Sequence, residues 1–406
     1  MTGGRAFRIT AALAAATVLF TGCVWDAERR VEEDLLDEIS DATFYDLPDT
    51  VPAGKPGDVV RSLPVLSAPL GADAWRVIYH TTDLNGADVL ASAIVAVPEE
   101  PVGADGTPVV SWGHPTTGAA RDCAPSLLFD PFLLMTGVHE LLLAGYAVVA
   151  TDYPGMAVPG DSSYLVGVTE GNSMLDAVRA ARSLATGLSN RVLLWGHSQG
   201  GQAALFAGQQ AHAGYAPDLM VEAVAVAAPA ADLNQLMSDD ISRMEGVTIS
   251  SYAFPSYQAA YADRYSTEEL QAVLTDAGRA AVDELAALCL FTQGDELHAL
   301  AKPLIGGFAA SDPATTEPWK TLLTENSAGA SPIGVPVFIG QGLADTTVDP
   351  DATEAYVKHL CSTGERVSFV TFDGISHLLA AEVSLPSVLP FFARALDGSV
   401  TTPTCG

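Results

Sequence analysis

Val192-Leu193-Leu194-Trp195-Gly196-His197-Ser198-Gln199-Gly200-Gly201 decides how the chain folds. It reads as an apolar strand, a Gly-x-Ser-x-Gly turn and the start of a helix, in that order. Only small residues two before and two after the serine let strand and helix come so close, and the strained turn lifts the hydroxyl above the sheet. The same turn aims the Gln199 N–H and the positive end of the helix at whatever the serine holds. An ordinary tight β-to-α turn would share the glycines. The apolar run 192–195 and the helical run 199–213 are the context that separates the two readings. An unassisted hydroxyl is a poor nucleophile, so a base and an acid must follow.

Outward from this turn the chain alternates. Strands are expected over 58–65, 75–80, 89–97, 108–112 and 146–151, then a helix over 171–185, and a strand over 221–227 beyond the elbow. Meander strands followed by strand–helix alternation predict an α/β sheet, parallel in its later part and flanked by helices. The alternation stops near Asp232, gives way to helix and loop to about residue 330, and resumes with strands over 335–341 and 367–373 and helices over 350–361 and 378–396. Because the last two strands need a sheet to join, the economical division is a core of 51–231 and 331–406 interrupted by a helical cap, 232–330. This is the plan of an α/β-hydrolase, whose chain order is Ser, then Asp or Glu, then His.

That order selects the partners. His377 follows a strand and the turn Asp373-Gly374-Ile375-Ser376, at the strand end where such sheets carry their sites. His359 sits inside a helical stretch. Asp345 lies just past the strand 335–341. Its rivals are Asp349, next to Pro350 and suited to capping a helix, and Asp373, too near His377 to brace the ring. One oxyanion donor is the Gln199 N–H. The second is expected from the loop Gly113-His114-Pro115-Thr116-Thr117-Gly118, and because Pro115 has no N–H the donor is Thr116. Trp112 and Tyr153, near strand ends, read first as core packing, with a wall of the substrate pocket as their candidate functional role. The apolar patches 285–291 and 304–308 either line an acyl tunnel or form the cap's own core.

The 406 residues are 49% hydrophobic and 17% charged, enough for a large core and not the composition of a disordered chain. A net charge of −30 repels phosphate backbones and gives no polybasic anchor, so nucleic acid is excluded as a partner. At the N-terminus, Arg5 and Arg8 precede an apolar stretch, 9–20, of signal-peptide length and too short to span a membrane. It runs into Thr21-Gly22-Cys23, which resembles a bacterial lipobox. The expectation is a signal peptide, 1–22, a lipidated Cys23 and an acidic tether, 23–50, with one short helix over 32–39. No transmembrane span is expected. Four further cysteines remain, an even set with three connectivities in an oxidising compartment. The expected pairs are Cys123–Cys289 and Cys361–Cys405. No two cysteines have zinc-ligand spacing, and the acidic stretch 345–351 lacks the EF-hand glycine. No metal or cofactor is expected, and the chain is expected to be a monomer.

Several motifs together resemble the secretory lipase family of lipase A type, in its actinobacterial lipoprotein branch. They are His114-Pro115-Thr116-Thr117-Gly118 with Cys123-Ala124-Pro125-Ser126, Asp152-Tyr153-Pro154-Gly155-Met156, and the elbow itself. Phe44-Tyr45, Pro56-Gly57-Asp58-Val59-Val60-Arg61, Ala228-Pro229-Ala230-Ala231-Asp232-Leu233 and the acid loop 342–350 extend the likeness from Phe44 to the C-terminus. Pro115 stands where the family often has glycine. The resemblance implies an α/β-hydrolase fold, carboxylic-ester hydrolysis on an acyl-ester substrate, a helical cap and disulfides of the expected kind. A serine peptidase on the same fold would keep the triad, but no residue here is dedicated to a peptide terminus.

Overall fold

The computed structural model describes residues 43–48, 50–100, 105–240, 243–400 and 405. The expected signal peptide, Cys23 and the helix 32–39 lie outside them. Nine strands form one sheet: β1 (Val59–Pro64), β2 (Ala72–Thr82), β3 (Asp88–Pro98), β4 (Thr107–Gly113), β5 (Ala147–Asp152), β6 (Leu188–His197), β7 (Met220–Ala227), β8 (Val337–Gly342) and β9 (Val367–Phe372). Their spatial order is β1-β2-β3-β5-β4-β6-β7-β8-β9. The pairs β1–β2, β2–β3 and β3–β5 are antiparallel, and every pair from β5 to β9 is parallel. This is an α/β-hydrolase fold.

The strand carrying the elbow is apolar on both faces because helices cover both. Val192 and Leu194 point into one core with the helices Gly167–Leu184, Gln199–His212 and Pro350–Ser362. Leu193 and Trp195 point into the other, with Val138–Leu143 and Ala380–Leu396. Period two therefore appears as two apolar sets instead of an apolar–polar alternation. The C-terminal helix is long and apolar, yet Val388, Phe391 and Phe392 are buried against the sheet. It also starts as a single 3-10 turn, His377–Leu379, before becoming α-helical. The helix expected from 171 begins earlier, at Gly167, and the short helix Val138–Leu143, whose leucine run carries no helical period, was not anticipated.

Between β7 and β8 lie the helices Leu233–Asp240, Met244–Ala260, Thr267–Gln271, Asp276–Ala286, Gly294–Ala301 and Trp319–Glu325. Ser266 and Glu269 form a capping box and Thr275 caps the next helix, so these starts are written locally. Trp319 stacks on Tyr257 at 5.2 Å and meets Phe254 in a tilted contact at 4.4 Å, within a core of their own. Leu285, Leu288, Leu304 and Phe308 belong to that core, whereas Phe291 and Ile305 are exposed. The patches 285–291 and 304–308 are thus internal packing and not a tunnel wall. Tyr164, Leu165, Val166 and Ala119, from the sheet domain, share the same core. The helices are consequently seated on the sheet domain by buried side chains.

Disulfides join Cys123 to Cys289 and Cys361 to Cys405. The first ties the loop after β4 to the inserted helices. Gly118 adopts φ +142° beside it, where a Cβ would lie 2.5 Å from the Cys123 sulfur. Leu290 N–H donates to the Thr117 carbonyl at 2.8 Å, adding a backbone bond across the same junction.

Candidate active site

Ser198 follows β6 with φ 56° and ψ −118°, a backbone few L-residues adopt. The glycines around it explain how the turn closes. A Cβ on Gly196 would sit 1.9 Å from the Gly200 carbonyl oxygen, and one on Gly200 would sit 1.9 Å from the Gly113 carbonyl oxygen. Strand β6, the following helix and the end of β4 are therefore in backbone contact, and Ser198 is thrust out above them. Its carbonyl accepts the N–H groups of Gly201, Gln202 and Ala230, at 2.9, 3.1 and 3.0 Å.

Three loops converge at this point. His377 Nε2 is 2.9 Å from Ser198 Oγ, and His377 Nδ1 is 2.8 Å from Asp345 Oδ2. Asp345 Oδ1 accepts the N–H groups of Thr347 and Val348 at 2.9 and 2.8 Å, and Gln341 Nε2 donates to Oδ2 at 3.2 Å. Burial favours the neutral acid, but His377 and the two amides outweigh it and hold Asp345 below the usual carboxylate range. The loops bearing acid and imidazole are themselves joined: Ala344 N–H donates to the Ile375 carbonyl and Leu343 N–H to the Phe372 carbonyl, both at 2.9 Å. Gly342 permits this, since a Cβ there would meet the Ile375 oxygen at 2.3 Å. His197, lowered to about 3 by burial and by His377, stays neutral, and its Nε2 lies 3.0 Å from the His377 carbonyl oxygen. Asp349 instead caps the helix Pro350–Ser362, accepting the Asp351 N–H at 2.8 Å.

Thr116 and Gln199 line the same cavity as Ser198. Gln199 is the first residue of its helix, where N–H groups have no intrahelical partner. Thr116 Oγ1 lies 3.0 Å from the Tyr164 hydroxyl, and the side chain of Gln199 reaches Glu170 at 2.7 Å. Trp112 and Tyr153 do not line this cavity. Trp112 belongs to the opposite side of β4, packs on Trp195 at 5.5 Å and donates to the Leu134 carbonyl at 2.8 Å. Tyr153 is buried against the His114 ring at 4.5 Å, with its hydroxyl 3.3 Å from the His114 carbonyl oxygen. Both are packing residues. The walls are supplied instead by Tyr164, Leu165, Leu236, Met237, Ile249 and Tyr257, from the loop before the helix Gly167–Leu184 and from the insertion. Sequence reasoning missed them because nothing in their spacing marks them as neighbours of Ser198.

The cavity as it stands holds about 50 Å³, room for a few waters. A larger cleft of about 770 Å³ lies beside the β2–β3 turn and the segment 154–163, and none of Ser198, Asp345 and His377 lines it. Among the described residues no cluster of His, Cys, Asp or Glu is arranged to hold a metal ion.

A serine, an imidazole and a carboxylate from the ends of β6, β9 and β8, under inserted helices, define the α/β-hydrolase class. Residues 133–403 match the secretory lipase family, and the chain belongs to it. A protein of Mycobacterium tuberculosis named as a probable inactive lipase is 26% identical over 389 residues, covering 89% of this chain and 83% of that protein. Lipase A of Candida antarctica, solved in its closed state, superposes with a TM-score of 0.73 at 22% identity, over 89% of this chain and 87% of its own. The rice cell wall degrading esterase LipA of Xanthomonas oryzae gives 0.70 at 22%, over 85% of this chain and 100% of its own. Family and fold are those of ester hydrolases, and the two disulfides fit the oxidising surroundings of a secretory family.

Proposed function

We propose that the chain is an exported serine carboxylic-ester hydrolase that works through an acyl-enzyme on Ser198. The observation carrying this reading is the unbroken relay from Ser198 Oγ through His377 to Asp345, at 2.9 and 2.8 Å, opening into an apolar cavity. His377 takes the Ser198 proton as Oγ attacks the ester carbonyl, while Asp345 holds the imidazole tautomer and stabilises its cation. The N–H groups of Thr116 and Gln199 receive the oxyanion, and His377 then protonates the departing alcohol. Water, activated by the same imidazole, releases the acid. A relative named as inactive does not weaken the reading for this chain, whose own residues complete the relay.

Export rests on the segment 1–22, attachment on a lipid at Cys23 with 23–50 as tether, and the helices of 232–330 act as a cap over a core of 51–231 and 331–406. The chain acts as a monomer. A second reading narrows the first: a cavity of about 50 Å³ is far below the roughly 300 Å³ at which ligand pockets begin, which favours short acyl groups over a long-chain lipase substrate. Wild type and Ser198→Ala are to be assayed against acyl esters from acetate to palmitate. The expected result is turnover by wild type, greatest for the short acids, and none above background in a folded Ser198→Ala. Turnover retained by that variant removes Ser198 from the mechanism; equal rates from acetate to palmitate overturn the short-chain reading.

A further inference from the structure

Glu170 lies in the first turn of the helix Gly167–Leu184, wholly buried, and does not itself line the Ser198 cavity. Its Oε1 accepts from Gln199 Nε2 at 2.7 Å and from the Leu165 N–H at 3.0 Å. Its other oxygen, Oε2, is buried with no partner, and so is Oε1 of the same Gln199. Two orphaned acceptors on two side chains already bonded to each other are a specific anomaly. Buried polar atoms are nearly always satisfied, and a carboxylate with a bare oxygen is the costliest kind to leave. One proton resolves both. A carboxylic acid presents an acceptor and a donor side by side, and a primary amide presents the complementary donor and acceptor.

We propose that Glu170 is held as the neutral acid, its Oε2–H donated to Gln199 Oε1, and that this two-point pair is a positioning element for the oxyanion pocket. The inference rests on the ester-hydrolase reading of the site. Burial pushes Glu170 well above the usual carboxylate range, and the bonds from Gln199 and Leu165 do not offset it. The titratable groups facing it are Tyr153, Tyr164 and Tyr257, each raised by burial and neutral. A neutral buried carboxyl kept as a hydrogen-bond donor near an oxyanion site has a physical precedent in apolar active sites.

The pair joins both walls of the pocket. On one side it fixes Gln199, whose N–H is a proposed oxyanion donor. On the other it holds Leu165, a non-glycine residue at φ 56°. Such a backbone persists only when its surroundings over-determine it. Here Glu170 takes the Leu165 N–H, while Gln202 Nε2 and the Tyr257 hydroxyl donate to the Leu165 carbonyl at 3.2 and 3.1 Å. Leu165 follows Tyr164, whose hydroxyl meets Thr116 Oγ1. One carboxyl therefore sets the residue after the nucleophile and, through Leu165 and Tyr164, the residue that carries the second donor.

The test compares full-length wild type, Glu170→Gln and Glu170→Ala. Glutamine reproduces the proposed acid, with one acceptor and one donor. The wild-type minus Glu170→Gln infrared spectrum at neutral pH is expected to contain the carbonyl band of a protonated carboxyl. Folded wild type must keep a proton that the unfolded chain releases, so its stability falls as pH rises above the usual Glu range, up to the raised folded value. The Tm of Glu170→Gln is therefore expected to gain on wild type over that rise. Glu170→Gln is expected to keep kcat within about threefold, and Glu170→Ala to lose about 10²-fold in kcat with KM little changed, the scale of a misplaced reacting group. Absence of the band, a Tm gap that does not widen with pH, or Glu170→Gln as damaged in kcat as Glu170→Ala overturns the pair. The band and the Tm gap need no turnover and hold even where Glu170→Ala does not fold, so they separate failure of the pair from failure of the ester-hydrolase reading, which Ser198→Ala tests.

Discussion

Asp345 and Glu170 are both carboxyls withdrawn from water, and they end on opposite sides of the usual range: at Asp345 the partners outweigh burial, and at Glu170 burial outweighs the partners. Asp345 is met by donors only: two backbone amides, Gln341 and the His377 ring. Its carboxyl is lowered, so its contribution to stability is present above the ordinary Asp range and lost as pH falls through the folded value. In Asn at this position the Thr347 and Val348 N–H groups keep the one remaining oxygen, which turns the NH₂ toward His377 Nδ1 and holds the imidazole in the wrong tautomer. Asp345→Asn is expected to keep its fold at neutral pH and to lose about 10⁴ in kcat, the cost of this change in a serine triad. A loss under about tenfold would remove Asp345 from the relay. The three relay residues were legible because each occupies a fixed slot: a turn after a strand, in the order Ser, Asp, His. Tyr164 and Leu165 were not, since they reach the site through the irregular segment 153–166, where no period applies, and Glu170 lies in the first turn of the helix Gly167–Leu184, one residue before the helix expected from 171. Trp112 kept two readings because a residue near the end of β4 can face either core; it packs, and it is Gly113, without a side chain, that touches the elbow.

At the scale of elements, alternation and strand chemistry located all nine strands to within a few residues, and the insertion between β7 and β8 was visible as a stretch without β runs. What periodicity could not reveal was how the inserted helices sit. Their core extends into Tyr164, Leu165, Val166 and Ala119, so swinging the whole insertion away would expose buried aromatic and aliphatic surface. Among the inserted helices, Met244–Ala260 lines the Ser198 cavity through Ile249 and Tyr257, and Leu233–Asp240 through Leu236 and Met237. Met237 is buried, with its sulfur 3.0 Å from the Ser250 hydroxyl oxygen. Met237→Ala is expected to destabilise by about 2–5 kcal/mol, as large-to-small changes in cores do, while opening the space beside Ser198. A single methylene in a pocket is worth about 10–200-fold in discrimination, so kcat/KM for octanoate relative to acetate is expected to rise at least tenfold. An unchanged ratio in the folded variant would mean that the acyl group lies elsewhere.

For the whole molecule the dominant quantity is charge: 49 acidic side chains against 19 basic ones. Several of the basic groups are already committed to acids, as in Arg179 with Asp176 and Asp218, Arg191 with Glu222 and Arg264 with Glu325. Most of the acids therefore face one another through solvent. Self-repulsion of this kind opposes the compact state and is screened by salt, the Debye length falling from about 30 Å at 0.01 M to about 3 Å at 1 M. Raising NaCl across that range is expected to raise Tm, since no comparable set of favourable surface pairs is lost in exchange. The same field acts on substrates before they reach Ser198. A neutral ester approaches without penalty, whereas one bearing a free carboxylate is repelled, so kcat/KM should favour the neutral member of a matched pair at low salt. That preference should shrink as salt is added. A preference independent of salt would assign it to contacts inside the cavity, and a Tm that falls with salt would mean that the acids are held by local partners and not by the field they share.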